Sequence, residues 1–259
     1  MTDLAHPAAS PVPEIGRLTL HEIWTCLKAG LHDFRTAPQF GLLFSSLYVL
    51  GGFLMTWLGA GHVTWVLATS LGFPLAAPFA AVGLYEVSRR LEADQLLEWR
   101  AVLGVVWAER TRQVPWIGAI IVIYFLFWTF LAHLIFALFM GVSTLTHVTT
   151  SWEVFLTPQG LAMMTVELIV GGVLAFGLFS LTVVSLPLVL EREIDFVSAM
   201  LLSIRTVARN RGVMLLWASV IAGLTFVALL PWFLGLIVVL PVLGHATWHI
   251  YRRALYDPL

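Results

Sequence analysis

Charge is scarce in this chain: Asp, Glu, Lys and Arg together make up 11% of its 259 residues, against 59% hydrophobic. That is too little polar surface to coat a water-soluble domain of this size, so the chain reads as a polytopic membrane protein. Cysteine is down to one residue, Cys26. An internal disulfide is therefore excluded, and in a segment expected on the cytoplasmic side Cys26 is a free and inert thiol. A net charge of -1 gives no basic field for nucleic acid. A Walker A loop, a Gly-x-Ser-x-Gly elbow, a His-Glu-x-x-His pair and a Cys-x-x-Cys pair are all missing. A familiar catalytic centre thus has no seat, and the chain is expected to be non-enzymatic and to require no cofactor.

What is present is apolar sequence in long runs, with mean hydropathy +0.91. Met1 to Gly16 carries Asp3 and Glu14 among three prolines, with neither a basic n-region nor an apolar h-region, so no cleavable signal is expected. Residues 1–18 read as a flexible cytoplasmic tail and 19–256 as a single six-helix transmembrane domain. Thr19 followed by Glu22 forms a capping box. From it His21, Thr25, Lys28, His32 and Arg35 fall on one side of a helix and Ile23, Trp24, Leu27, Leu31 and Phe34 on the other, the pattern of an amphipathic surface helix that Pro38 ends.

Six uncharged or nearly uncharged runs follow, each long enough at 1.5 Å per residue to cross a hydrocarbon layer of about 30 Å. They run from Gln39 to Leu58, Thr64 to Tyr85, Val114 to Met140, Gly160 to Leu190, Val213 to Leu230, and from the Pro231-Trp232 turn to Tyr251. Prolines 74 and 78 are expected to kink the second, and the fourth is longer than a bilayer requires. Further surface-lying helices are expected around Leu96 to Trp107, and after Ile194, where Val197, Leu201, Ile204 and Ala208 repeat at helical spacing against Asp195, Ser198, Arg205 and Arg209. The fold class is thus all-α, with six transmembrane helices in three hairpins and amphipathic helices on the cytoplasmic side.

Sidedness follows from charge. All 14 Lys and Arg residues fall in the segments on one side of this arrangement, and the three outer turns hold none, so both termini are cytoplasmic by the positive-inside rule. Trp57, Trp65, Trp152 and Trp232 fall at the outer boundary and Trp24, Trp99, Trp116 and Trp248 at the inner one, as an aromatic belt. Two helices share a design: Pro78 to Arg89-Arg90 and Pro241 to Arg252-Arg253 have equal spacing, with Tyr85 standing where Trp248 stands. The order of surface helix, span, outer turn and proline-bearing span recurs at 19–90, 91–192 and 193–253, which reads either as a threefold repeat or as the common look of membrane hairpins.

Three groups of side chains could carry function. His133 and Glu167 lie at similar depth inside adjacent spans, where an ionisable group seeks a partner or a wet cavity; they read as a coupling pair or as a structural hydrogen bond. His245 and His249, four apart on the last span, have the geometry to hold a metal or flank a haem, and equally that of headgroup-level histidines. Arg89, Arg90, Arg205, Arg209, Arg252 and Arg253 form an inner basic surface suited to anionic lipid headgroups.

Several stretches resemble an uncharacterised family of bacterial polytopic inner-membrane proteins. They are Ala29-Gly-Leu-His-Asp-Phe34 with Pro38 and Gly41; Gly83-Leu-Tyr-Glu-Val-Ser-Arg-Arg90; Pro187-Leu-Val-Leu-Glu-Arg-Glu-Ile-Asp-Phe196 with Ala199-Met200; and Leu240-Pro-Val-Leu-Gly-His-Ala-Thr-Trp-His249 with Tyr251-Arg-Arg253. The resemblance implies six spans and an inner-membrane home, and brings no activity with it. Some members are labelled oxidase-like, but this chain lacks the several intramembrane histidines that two haems and a copper need. The expectation is a scaffold, assembly or regulatory factor in the bilayer, in contact with lipid and with another membrane protein or a respiratory complex. The alternatives are a small-molecule or ion transporter coupled through Glu167, and a haem or metal protein.

Overall fold

The computed structural model describes residues 13–57, 63–141 and 155–255, apart from the side chains of 55, 56 and 63–75. The first twelve residues of the expected tail, most of the outer loop with Trp152, the side chains of Trp65 and Pro74, and residues 256–259 lie outside that description. Among the described residues the chain is helical with no strand. The helices are α1 (Leu20–Thr36), α2 (Pro38–Trp57), α3 (Val63–Glu92), α4 (Trp99–Glu109), α5 (Val114–Met140), α6 (Pro158–Thr182), α7 (Ser185–Glu191), α8 (Phe196–Arg209), α9 (Arg211–Leu229) and α10 (Leu236–Leu255). Three of them, Val114–Met140, the joined Pro158–Glu191 and Arg211–Leu229, are long and apolar enough to cross a membrane, and a fourth counts if α1 and α2 form one broken span. This is an all-α protein with three to four candidate membrane spans.

Local chemistry sets the breaks. The capping box forms as expected, Thr19 accepting from the Glu22 backbone N–H and Glu22 accepting from the Thr19 backbone N–H at 2.6 Å. Pro38 holds Ala37 out of the helical region, and the chain turns through 99° between α1 and α2. The long fourth run breaks at Val183 and Val184, four residues before Pro187, which has no N–H to return to the Val183 carbonyl. The Val184 N–H instead donates to Ser203 Oγ of α8 at 3.2 Å. By contrast α3 continues as one helix through Pro74 and Pro78.

On two helices the face that meets protein was not specified by periodicity alone. On α8 the buried residues are Ala199, Met200, Leu202, Ser203, Thr206 and Val207, while Val197, Leu201 and Ile204 of the expected apolar stripe are exposed. In lipid the stripe that avoids water need not pack on protein, and small or hydroxylated residues suit helix contacts there. On α1 the deepest residues are Glu22, Ile23, Cys26, Gly30 and Asp33, so the helix is clamped against the bundle and presents Trp24 and Leu20 outward.

The core gathers Val82, Tyr85, Leu188, Trp217, Leu243, Trp248 and Tyr251. Trp248 is therefore not part of an interfacial belt. It has no exposure, its indole N–H donates to Glu92 at 3.0 Å, and its ring lies 6.4 Å from that of Tyr85. The two equivalent aromatic positions of the proline-to-arginine helices thus face one another. Residues 16–18, read as tail, are stitched down: the Gly16 N–H donates to the Ala254 carbonyl, the Leu18 N–H to Asn210 Oδ1, and Asn210 Nδ2 to the Gly16 carbonyl.

Candidate functional site

The richest polar site lies where α1, α3 and α10 meet. Its placement begins with a missing side chain. A Cβ on Gly30 would stand 2.5 Å from the Ala246 nitrogen and 2.6 Å from the Val242 carbonyl oxygen, so α1 and α10 touch backbone to backbone there, as glycine alone permits. That approach brings Asp33, one turn on, against α3 and α10. His249 Nε2 lies 2.8 Å from Asp33 Oδ2, Ser88 Oγ lies 2.7 Å from the same oxygen, and His245 Nδ1 lies 2.8 Å from Ser88 Oγ.

Proton positions follow from acceptor counting. Burial pushes the Asp33 carboxyl up, but the hydrogen bonds from His249 and Ser88, together with the charge of His249, outweigh it, and the group sits below the usual carboxylate range. An ionised carboxylate only accepts, so the single Ser88 proton goes to Asp33, and the Ser88 oxygen accepts from His245 Nδ1–H. His245, with no exposure, is left with a bare Nε2 that meets no hydrogen-bond partner among the described residues. Asp, His and Ser are the residue types of a nucleophilic triad, but here the hydroxyl stands between carboxylate and imidazole and is fully buried, so the arrangement presents no nucleophile. What it does is hold three helices together, each hydrogen bond to the charged carboxylate contributing about 1.5–3 kcal/mol.

A second layer surrounds this knot. Glu92 accepts from Trp248 and from Arg252 Nε at 3.1 Å, while Glu191 accepts from Tyr251 and from Arg252 Nη1 at 2.9 Å. A cleft of about 500 Å³ opens beside it, lined by Thr25, Cys26, Ala29, Glu92, His249, Arg252 and Arg253. Burial pushes the Cys26 thiol up to about 12, which agrees with an inert thiol.

The expected site residues are therefore divided. His245 and His249 enter one hydrogen-bonded network through different partners, and among the described residues no group of three or more His, Cys, Asp or Glu side chains is placed to hold a metal. Of the six arginines, Arg205 and Arg209 are exposed on α8. Arg89 and Arg90 both reach the fully buried Glu86, at 2.7 and 2.6 Å, and Arg252 pairs with Glu92 and Glu191. Asp33 and Ser88 were not singled out by sequence. Both lie in the stretches that carry the family resemblance, and Gly30, on a helix otherwise built of larger residues, was a further legible signal.

The intramembrane pair takes a different form from a mutual hydrogen bond. His133 Nδ1 meets the Thr129 carbonyl at 2.7 Å, and Glu167 lines a groove of about 390 Å³ between α5 and α6 with Tyr124, Phe125, Trp128, Gly171 and Gly172.

Long apolar helices joined by buried polar knots define an integral membrane protein of the all-α class. Residues 65–191, just under half of the chain, match the family described as "Predicted integral membrane protein (DUF2189)". Ser88 and Glu167 fall inside the matched segment, whereas Asp33, His245 and His249 lie beyond it. No curated protein and no solved structure matches the chain.

Proposed function

We propose that this protein crosses the bacterial inner membrane six times with both termini cytoplasmic, and acts without enzymatic chemistry as a scaffold, assembly or regulatory factor for another membrane protein, a respiratory complex being one such partner. The crossings beyond the apolar candidates are supplied by α2, α3 and α10, of 20, 30 and 20 residues, each long enough for a layer of about 30 Å. Arg205 and Arg209 meet anionic headgroups on the inner side.

The observation that carries the scaffold reading is the bareness of α5. Only 6% of its most apolar stretch is buried inside the chain, against 39% for Pro158–Glu191. Ile123, Phe127, Phe130 and Leu138 stand exposed along it, and a broad apolar face rimmed by large side chains suits a partner helix. A photo-reactive residue at Phe130 in native membranes should give one protein adduct of fixed mass, whereas the same residue at buried Trp217 should give none. Lipid adducts alone at position 130 would refute the scaffold.

A second reading has one observation in its favour. Glu167 stands in a groove at membrane depth, as the coupling residue of a small-molecule or ion transporter would.

A further inference from the structure

Glu167 makes no hydrogen bond or ion pair among the described residues, although it lies nine residues into α6 from Pro158, about 14 Å along the helix at 1.5 Å per residue. A carboxylate at that depth calls for a positive partner or water. His133 on α5 is close enough to act on it electrostatically, but its Nδ1 is taken up by the Thr129 carbonyl. The surroundings of Glu167 are aromatic. Trp128 lies directly over Gly171, where a Cβ would meet its ring at 2.9 Å, and Tyr124 over Gly177, where a Cβ would meet its hydroxyl at 2.5 Å. That hydroxyl donates to the Leu174 carbonyl at 2.8 Å, which fixes the ring. Gly172 has open space where a side chain would stand, and this keeps the groove from being filled by its own helix.

One carboxylate, two aromatic rings and a groove of about 390 Å³ have a single electrostatic sense. The carboxylate is negative, the ring faces carry negative quadrupole potential, and the volume falls in the range of small-molecule sites. We propose that the groove between α5 and α6 binds a hydrophobic organic cation, an amine or quaternary ammonium bearing an aryl or alkyl group, with Glu167 as counter-ion and Trp128 and Tyr124 as aromatic walls. The groove is open at Phe125, which stands exposed at its edge. The site deepens the transporter reading, but binding does not require transport.

The test uses the full-length protein in nanodiscs, with radiolabelled benzyltrimethylammonium as probe and empty nanodiscs as blank. Neopentylbenzene, in which carbon replaces the nitrogen, serves as the uncharged shape match. Saturable binding of about one probe per chain is expected, with E167Q weakening it at least ~10-fold, G172L abolishing it and H133A leaving it in place, because charge and cavity together select the ligand. All variants are compared at equal melting temperature and elution volume, and E167Q and G172L act by unrelated means, so one misfolded variant leaves the other decisive. Binding no greater than to empty nanodiscs, equal affinity in E167Q, or displacement by neopentylbenzene as effective as by unlabelled probe would each overturn the proposal. Binding without flux in proteoliposomes would leave the site standing and remove only the transport reading.

Discussion

Replacing Gly30 by alanine tests the backbone contact on which the polar knot depends. The new Cβ would fall 2.5 Å from a backbone nitrogen of α10, where ordinary contact begins at 3.4 Å. Neither backbone can yield locally, so α1 must retreat by about 0.9 Å, which lengthens the 2.8 Å His249 to Asp33 contact to about 3.7 Å, beyond hydrogen-bond range. Overpacking costs about 1–3 kcal/mol, and a weakened hydrogen bond to a charged group about 1.5–3 kcal/mol. Alanine returns about 1 kcal/mol of helix propensity, leaving a net loss of about 1.5–5 kcal/mol in the docking of α1. Cys26, one turn away on the same buried face and the only cysteine in the chain, reports that docking directly. Its thiol is pushed up to about 12 by burial, so maleimide at pH 8 should label the native protein only through opening of α1. A loss of about 2 kcal/mol raises the open population, and with it the labelling rate, about 30-fold. If G30A were labelled at the wild-type rate with an unchanged melting temperature, the backbone-to-backbone contact, and the knot it positions, would be wrong.

Other consequences can be checked separately. Because the folded Asp33 carboxyl lies below its ordinary value of 3.8, its contribution is full above that value and is lost as pH falls through the lowered one; the melting-temperature gap between wild type and D33N should be constant above pH ~5 and close below ~4. A gap that widened with acid would contradict the assignment. E86Q removes the carboxylate that two arginines share at zero exposure; after discounting for the partly exposed guanidinium groups it should cost about 2–4 kcal/mol in denaturant unfolding, and a neutral result would contradict the shared pairing. S88A leaves both the Asp33 oxygen and His245 Nδ1–H without their shared partner and should destabilise by about 1–3 kcal/mol, whereas S88T, which keeps the hydroxyl, should recover part of it in the same melt. In a C26A background, a cysteine beside Arg110 or Arg209 should stay unlabelled by an impermeant maleimide in intact cells, and labelling from outside would remove the topology.

The capping box at Thr19 and the stop at Pro38 were legible because each depends on backbone chemistry within a few residues, whereas the excess length of the fourth run was legible without the place of its break. The equal spacing of Pro78 to Arg90 and Pro241 to Arg253 was legible too, and the structure adds that Tyr85 and Trp248 on those helices touch. The Glu86 pairs with Arg89 and Arg90 stand at helical spacing and could have been read from it. The partners of Asp33 could not: Ser88 is 55 positions away and His249 is 216, and nothing in composition or periodicity links them. Trp248 misled for a related reason, since a tryptophan beside paired arginines looks interfacial until Glu92 is seen to accept its N–H.

Water alone dictates which runs of this chain become apolar helices and where charge must remain, so hydropathy and a few local steric rules determined its class, the break at Pro38 and its membrane-crossing candidates. Which side of each helix meets protein was settled only in three dimensions. Lipid and protein interior are equally dry, so the stripe Val197, Leu201, Ile204 carries no mark telling it to face outward, whereas a single glycine and a buried carboxylate decide where α1 docks.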